Sequence, residues 1–317
     1  MSKSRPNPEN LLARLEWTVI RRLDGLLQGD YRTLFRGFGL DLAELREYQA
    51  GDDVRYIDWN VTARLSTPYV RQYNEDREIT AWLLLDLSPS MDFGSAEVMK
   101  RTMLTEFVAV MARLLTRHGN RVGAVIYGDG VEKIIPAGSG RRHVLYLLHS
   151  LSEQPERIRS RQTALGELIE LAFRLIKRRS FVFIVSDFLS LPGWVAPLRY
   201  LCSRHETLAV RLFDPLEKEL PDIGIVLMRD SETGENLYVD THDRGFRRRF
   251  REAAQRRAET LQKAFGDTGV DVLELSTHEN LLDCLLRFAD LRKQRSLMVA
   301  GVNPPSKWGG EHDVSLG

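Results

Sequence analysis

Two strand-sized, mostly apolar runs, ITAWLLLD at Ile79–Asp86 and FVFIVSD at Phe181–Asp187, each close on an aspartate. A strand with one face in water alternates apolar and polar side chains. These runs do not alternate, so both of their faces must be covered, as in a parallel sheet with helices on either side. RVGAVIY (Arg121–Tyr127), TLAVRLF (Thr207–Phe213) and VDVLELS (Val270–Ser276) are further strand-sized runs. Helical periodicity falls between them: near Ala96–His118, from about Arg141, over Thr163–Arg178, at Val195–Ser203, along a basic stretch at Asp243–Phe265, and at Glu279–Leu291. VEKIIP reads as an edge strand, and IGIVLMRD and ENLYVDT flank the turn-rich SETG as a hairpin. Strand alternating with helix predicts a doubly wound α/β fold with a mostly parallel sheet.

The stretch before Ile79 has a different texture. Leu11, Leu12, Leu15, Val19, Leu23 and Leu26 recur at helical spacing over Asn7–Leu27, and Gly29–Arg77 is irregular, with short β-like pieces. The expected organisation is therefore an N-terminal helix with an irregular and β-containing appendage (1–78), the α/β domain (79–295), and a Pro- and Gly-bearing tail (296–317) expected to be disordered. A chain of 317 residues can bury a core without cross-links. Its two cysteines, Cys202 and Cys284, stand alone, which excludes a zinc ribbon or disulfide framework and fits a reducing compartment. No apolar run is long enough for a membrane span, and MSKSRPNPEN lacks the apolar segment of a signal peptide, so a cytoplasmic location is expected. A formal net charge of +1 gives no global attraction to nucleic acid. The arginines of RGFRRRFREAAQRRAETLQK are interspersed with glutamates and read as a solvated helix face or a surface for an acidic partner, with nucleic acid conceivable and not expected.

In open α/β sheets ligands bind beyond the carboxyl ends of the strands, at the topological switch point. There LLLDLSPSM places Asp86, Ser88 and Ser90 on one strand-to-helix loop, VSD places Asp187 at the same edge, and Thr163 opens the helix before that strand. Two carboxylates and three hydroxyls are hard oxygen donors of the kind that Mg²⁺ selects. Each piece also has an ordinary reading: an aspartate at a strand end with a serine cap, a threonine N-cap, a carboxylate accepting backbone N–H groups in a turn.

DLSPS with Thr163 and Asp187 resembles the metal-ion-dependent adhesion site, DxSxS…T…D, of von Willebrand factor A-type domains. Upstream, REYQAGDDVRYIDWNVTAR (Arg46–Arg64) resembles the signature of the family called domain of unknown function 58, which carries it just before an A-type domain. The resemblance implies a von Willebrand factor A-like fold, and coordination of Mg²⁺ (or Mn²⁺ or Ca²⁺) by Ser88, Ser90 and Thr163, with Asp86 and Asp187 direct or through water. An acidic side chain of a partner would fill the open position. It further implies partnership with a MoxR-class AAA+ ATPase and its client, in an adaptor or chaperone role that binds rather than catalyses.

Within the signature, Asp52, Asp53, Arg55, Asp58, Trp59 and Arg64 gather charge around an aromatic. They are either a tight turn whose ion pairs and Trp59 fasten the appendage to the core, or a second acidic site or partner surface. The rival function is a Mg²⁺-dependent hydrolase or nuclease that uses the strand-end acids with help from Asp52, Asp53 or Asp58. No GxxxxGK[ST], DxDx[TV], HExxH or GxSxG occurs, which argues against nucleotide-loop, phosphoaspartyl, zincin and serine-hydrolase chemistry.

Overall fold

The structure is a computed structural model. It describes residues 7–26, 44–49, 52, 54, 57, 59–65, 67–72, 79–95, 98–155, 163–229 and 236–299.

Helix α1 (Pro8–Leu15) starts on Asn7, whose side chain accepts the Glu9 N–H at 2.9 Å, with Pro8 in the first turn where its missing N–H is harmless. It continues through a π-type turn (Glu16–Ile20) into α2 (Arg21–Leu26). Strand β1 (Glu44–Glu47), helix α3 (Trp59–Leu65) and β2 (Tyr69–Gln72) follow, with β1 and β2 antiparallel. The α/β part then runs β3 (Thr80–Asp86), α4 (Lys100–Arg117), β4 (Arg121–Tyr127), β5 (Val131–Gly138), α5 (Gly140–Ser152), α6 (Leu165–Leu175), β6 (Phe181–Ser186), α7 (Val195–Arg204) and β7 (Glu206–Phe213). Next come the hairpin β8 (Ile225–Arg229) and β9 (Asn236–Asp240), helix α8 (Arg244–Thr268), β10 (Asp271–Ser276) and α9 (Leu281–Val299).

Among the described residues six strands form the central sheet in the order β10-β7-β6-β3-β4-β5, all parallel except β5, which pairs antiparallel with β4. The doubly wound, mostly parallel fold read from the sequence is the fold observed. Successive residues of one strand enter opposite layers, as a period of two requires. Leu83 and Leu85 of β3 and Phe181 and Phe183 of β6 join one core with α4, α5 and α9, where Phe107 meets Phe183 edge-on at 6.1 Å. Leu84, Val182 and Ile184 join the other core with α6, α7 and Phe265 of α8. The N-terminal helical segment buries Leu11, Leu12, Leu15, Val19, Ile20 and Leu23 in the first of these layers, so its apolar stripe belongs to the same core as the sheet.

Several helix boundaries differ from the sequence reading. The helix expected from Ala96 begins at Lys100, and Pro89–Asp92 forms a separate 3₁₀ turn before it. The helix expected at Thr163–Arg178 is Leu165–Leu175, ended by Ile176 in an extended conformation (ψ 100°) that feeds β6. Ser296, expected to begin the tail, still lies in α9, which continues to Val299; the remainder of the tail is outside the described residues. Helix α8 is basic and exposed along most of its length, and Phe265 is its one buried residue. Among the described residues no helix is long and apolar enough to cross a membrane.

Candidate metal centre

The chain builds β3, then β4 and β5 on one side of it, and crosses back to place β6, β7 and β10 on the other. The switch therefore lies between β3 and β6, whose carboxyl ends carry Asp86 and Ser186–Asp187.

Past β3, the Leu87 N–H donates to the Tyr127 carbonyl at 2.7 Å, extending the β3–β4 pairing by one residue. Ser88 is extended (φ −60°, ψ 162°), the conformation that a following proline favours, and Pro89 then starts the 3₁₀ turn. That turn returns Ser90 toward Ser88, with the two Oγ atoms 3.1 Å apart. Asp86 is held from two sides. Its Oδ1 accepts the Ser88 N–H at 2.9 Å, and its Oδ2 accepts the Ser186 hydroxyl at 2.6 Å across the strands.

Past β6 the chain bends sharply at Phe188, the one non-glycine residue with positive φ (59°) among the described residues. A bulky residue in the left-handed region is strained, and it persists here because its ring is gripped by Trp194 at 5.6 Å and Phe265 at 4.9 Å. The bend lets Asp187 Oδ1 accept the Leu189 N–H, and Ser186 Oγ accept the Phe188 N–H, each at 2.9 Å. The same loop holds Thr163: its carbonyl accepts the Ser190 hydroxyl at 2.7 Å and the Leu191 N–H at 2.9 Å. Ser190 Oγ also accepts the Leu165 N–H at 2.9 Å, so it caps α6, and Thr163 is not the cap.

Asp86, Ser88, Ser90, Thr163 and Asp187 all retain 2% exposure or less. Burial, followed by repulsion from Asp187, raises the Asp86 carboxyl to about 6 against the opposing bonds from Ser186 and Ser88. Asp187 has a further partner. Lys100, first residue of α4, is fully buried and donates from Nζ to Asp187 Oδ2 at 2.7 Å and to Glu217 Oε1. Burial opposes the ammonium, yet the two carboxylates outweigh it and the Lys100 pKa is raised. Glu217 lies on a 3₁₀ turn (Pro215–Glu217) fixed by a reciprocal capping box with Asp214, which itself accepts from Ser95 and Thr277.

The strand-end donor set is entirely oxygen and suits a hard divalent ion. The mutual repulsion of Asp86 and Asp187 is what a shared cation would relieve, so these residues fit such an ion, with the difference that Lys100 already neutralises part of the charge. Among the described residues no group of three or more His, Cys, Asp or Glu side chains is placed to hold a metal. A site built at this edge from the described residues therefore uses the hydroxyls.

Ser186, Ser190, Lys100 and Glu217 were not singled out in the sequence. Ser186 was within reach, since it lies next to Asp187 at the end of an apolar strand. A lysine opening an amphipathic helix gives no such sign, because that position is normally solvated.

In the signature segment, Asp52 closes a turn, donating its N–H to the Gln49 carbonyl at 3.0 Å and accepting the Gln49 N–H on Oδ2 at 2.8 Å. Trp59 opens α3 and is 68% exposed, so it does not fasten the appendage to the core; the indole faces solvent. Asp53, Arg55 and Asp58 lie outside the described residues, as does the side chain of Arg64 on α3.

A family profile described as "Protein of unknown function DUF58" matches residues 44–260. "Uncharacterized protein Rv1480" of Mycobacterium tuberculosis is 37% identical over 286 residues, spanning 90% of each chain. Among solved structures, an aerotolerance-related membrane protein from Bacteroides fragilis is 14% identical with a TM-score of 0.47, over 68% of this chain and 99% of that one. The conserved hypothetical protein BatB from Bacteroides thetaiotaomicron is 16% identical with a TM-score of 0.45, over 70% and 99%.

Proposed function

Since the chain belongs to the DUF58 family of proteins of unknown function, its action has to be read from its own strand ends, and we propose that it is a cation-dependent protein-interaction module. In this reading Asp86, Ser88, Ser90, Thr163 and Asp187 hold Mg²⁺, Mn²⁺ or Ca²⁺, and an acidic side chain of a partner completes the coordination. When bound, the ion would supply a Lewis-acid position open to one carboxylate. The chain's own residues do the rest. Ser186 and the Ser88 N–H fix the Asp86 carboxylate, the Pro89 turn brings the two serine hydroxyls side by side, and Ser190 holds Thr163 to the loop after Asp187. The observation that carries the reading is the pairing of Asp86 with Asp187 at the switch point, beside two hydroxyls 3.1 Å apart.

The partner we propose is a MoxR-class AAA+ ATPase, with this chain as its adaptor or chaperone component, in keeping with the resemblance of Arg46–Arg64 and DLSPS. We place the contact in the cytoplasm, in keeping with Cys202 and Cys284 both being free thiols. The test is capture of the ATPase by the purified chain with and without a chelator, alongside Asp86→Ala and Ser88→Ala. Binding should disappear in the chelator and in both variants while the fold remains intact by circular dichroism. Retention of the ATPase after chelation and in both variants rejects the reading.

A further inference from the structure

Lysine is among the residues least often buried, and a buried ammonium survives only where it is paired. Lys100 is such a case: it has no exposed surface, and both of its carboxylate partners lie on the rim that carries the candidate metal set. One partner, Asp187, is a proposed ligand. The other, Glu217, keeps 23% of its side chain exposed on a turn that Asp214 holds in place independently of Lys100. Nearby, the Phe93 ring centroid is 5.9 Å from Nζ. A +1 charge is therefore built into the protein against the same carboxylate that a metal would need.

We infer that Lys100 is a resident counter-ion that sets the cation affinity of the strand-end site: its ammonium holds Asp187 in the cation-free protein and yields that carboxylate to a divalent ion while keeping Glu217. The inference rests on the cation-dependent reading given above. With Asp86, Asp187 and Glu217 ionised, the cluster with Lys100 carries −2, which one divalent ion neutralises; without Lys100 it would carry −3. Two consequences follow. The apo protein stays assembled without metal, because Asp187 is never left uncompensated. And the ion must displace one ammonium contact to bind, which lowers its affinity and disfavours monovalent cations.

The experiment is calorimetric titration of the full chain with MnCl₂ at pH 8, for the wild type and for Lys100→Met and Lys100→Gln, with thermal melts in chelator and in Mn²⁺. Removing a unit charge a few ångströms from the ion should tighten binding by about tenfold or more and enlarge the Mn²⁺-dependent rise in melting temperature. Wild-type binding with equal or weaker binding by the variants overturns the inference and leaves the proposed function standing. Binding by the variants but not by the wild type overturns the inference together with the proposed function, since the ammonium then never yields Asp187 to the ion. No binding by any of the three rejects both. Variants that fold only in Mn²⁺ support it, since the ion then replaces the missing charge, whereas variants unfolded at every Mn²⁺ concentration overturn it.

Discussion

Lys100 Nζ lies 2.7 Å from Asp187 Oδ2, with 0% and 1% of the two side chains exposed. The start of α4 is thereby locked to the end of β6 by a buried charge pair, at the point where the order of strand addition reverses. Breaking one side of such a pair leaves a buried charge, and it typically costs about 3–5 kcal/mol. Asp187→Asn should therefore lower the unfolding free energy in chelator by about that amount, less whatever Glu217 recovers. Urea denaturation measures it, and a loss below about 1 kcal/mol would mean that Glu217 alone suffices for Lys100.

Asp86 gives a pH dependence of known sign. Its carboxyl is raised to about 6 in the folded protein, from an ordinary value of 3.8. The folded state thus binds the extra proton between these values, and Asp86 weakens the fold progressively as pH rises from about 4 to 6. Asp86→Asn should remove that loss. In metal-free buffer the variant should gain on the wild type with rising pH, reaching at most about 3 kcal/mol at pH 7. Denaturation midpoints at pH 4 and pH 7 check this; a constant difference would show that Asp86 titrates at its ordinary value.

Ser190 serves two elements with one hydroxyl, accepting the Leu165 N–H and donating to the Thr163 carbonyl. Ser190→Ala should lose a helix cap and a hydrogen bond, about 1–2 kcal/mol together. It should also weaken Mn²⁺ binding several-fold by releasing Thr163 from its loop, although Ser190 is not itself a proposed ligand. Stability falling with unchanged affinity would separate Thr163 from the cation.

Arg292 of α9 ties the helix to the far edge of the sheet, pairing with Asp271 of β10 at 2.9 Å and Glu206 of β7 at 3.3 Å. Burial lifts Glu206 to about 7 even against the opposing pull of Arg292. Without the guanidinium its pKa would rise further, so ionisation of Glu206 would strain the fold more. Arg292→Met should be destabilising by a few kcal/mol at pH 8 and by clearly less at pH 5, where Glu206 carries its proton. Melting temperatures of the two proteins at both pH values decide it; equal losses would assign the effect to packing.

The central sheet was legible because a strand buried on both faces leaves an unbroken apolar run. Thr80–Asp86 and Phe181–Ser186 fall within one residue of the sequence expectation at each end. Asp86, Ser88, Ser90 and Asp187 could be placed on one rim for the same reason: parallel strands end together, and the residues just past them share an edge. Helix limits were less legible. Ala96 and Thr163 sit in stretches whose apolar spacing suits a helix, while the loop contacts of Ser190 and the separate 3₁₀ turn at Pro89 decide where each helix starts.

Local pattern thus determined the layers, the alternation of strand and helix, and the oxygen donors at the strand ends, because these follow from which side chains must leave water. Only tertiary structure decided the charge balance at that rim. Lys100 is separated from Asp187 by 87 residues and from Glu217 by 117, and nothing in its neighbourhood along the chain marks it for burial. Its state depends on two acids brought to it by crossovers of the sheet, and on a left-handed bend at Phe188 that the rings of Trp194 and Phe265 hold in place. Coulomb energy depends on distance and dielectric, and both are properties of the folded interior rather than of sequence spacing.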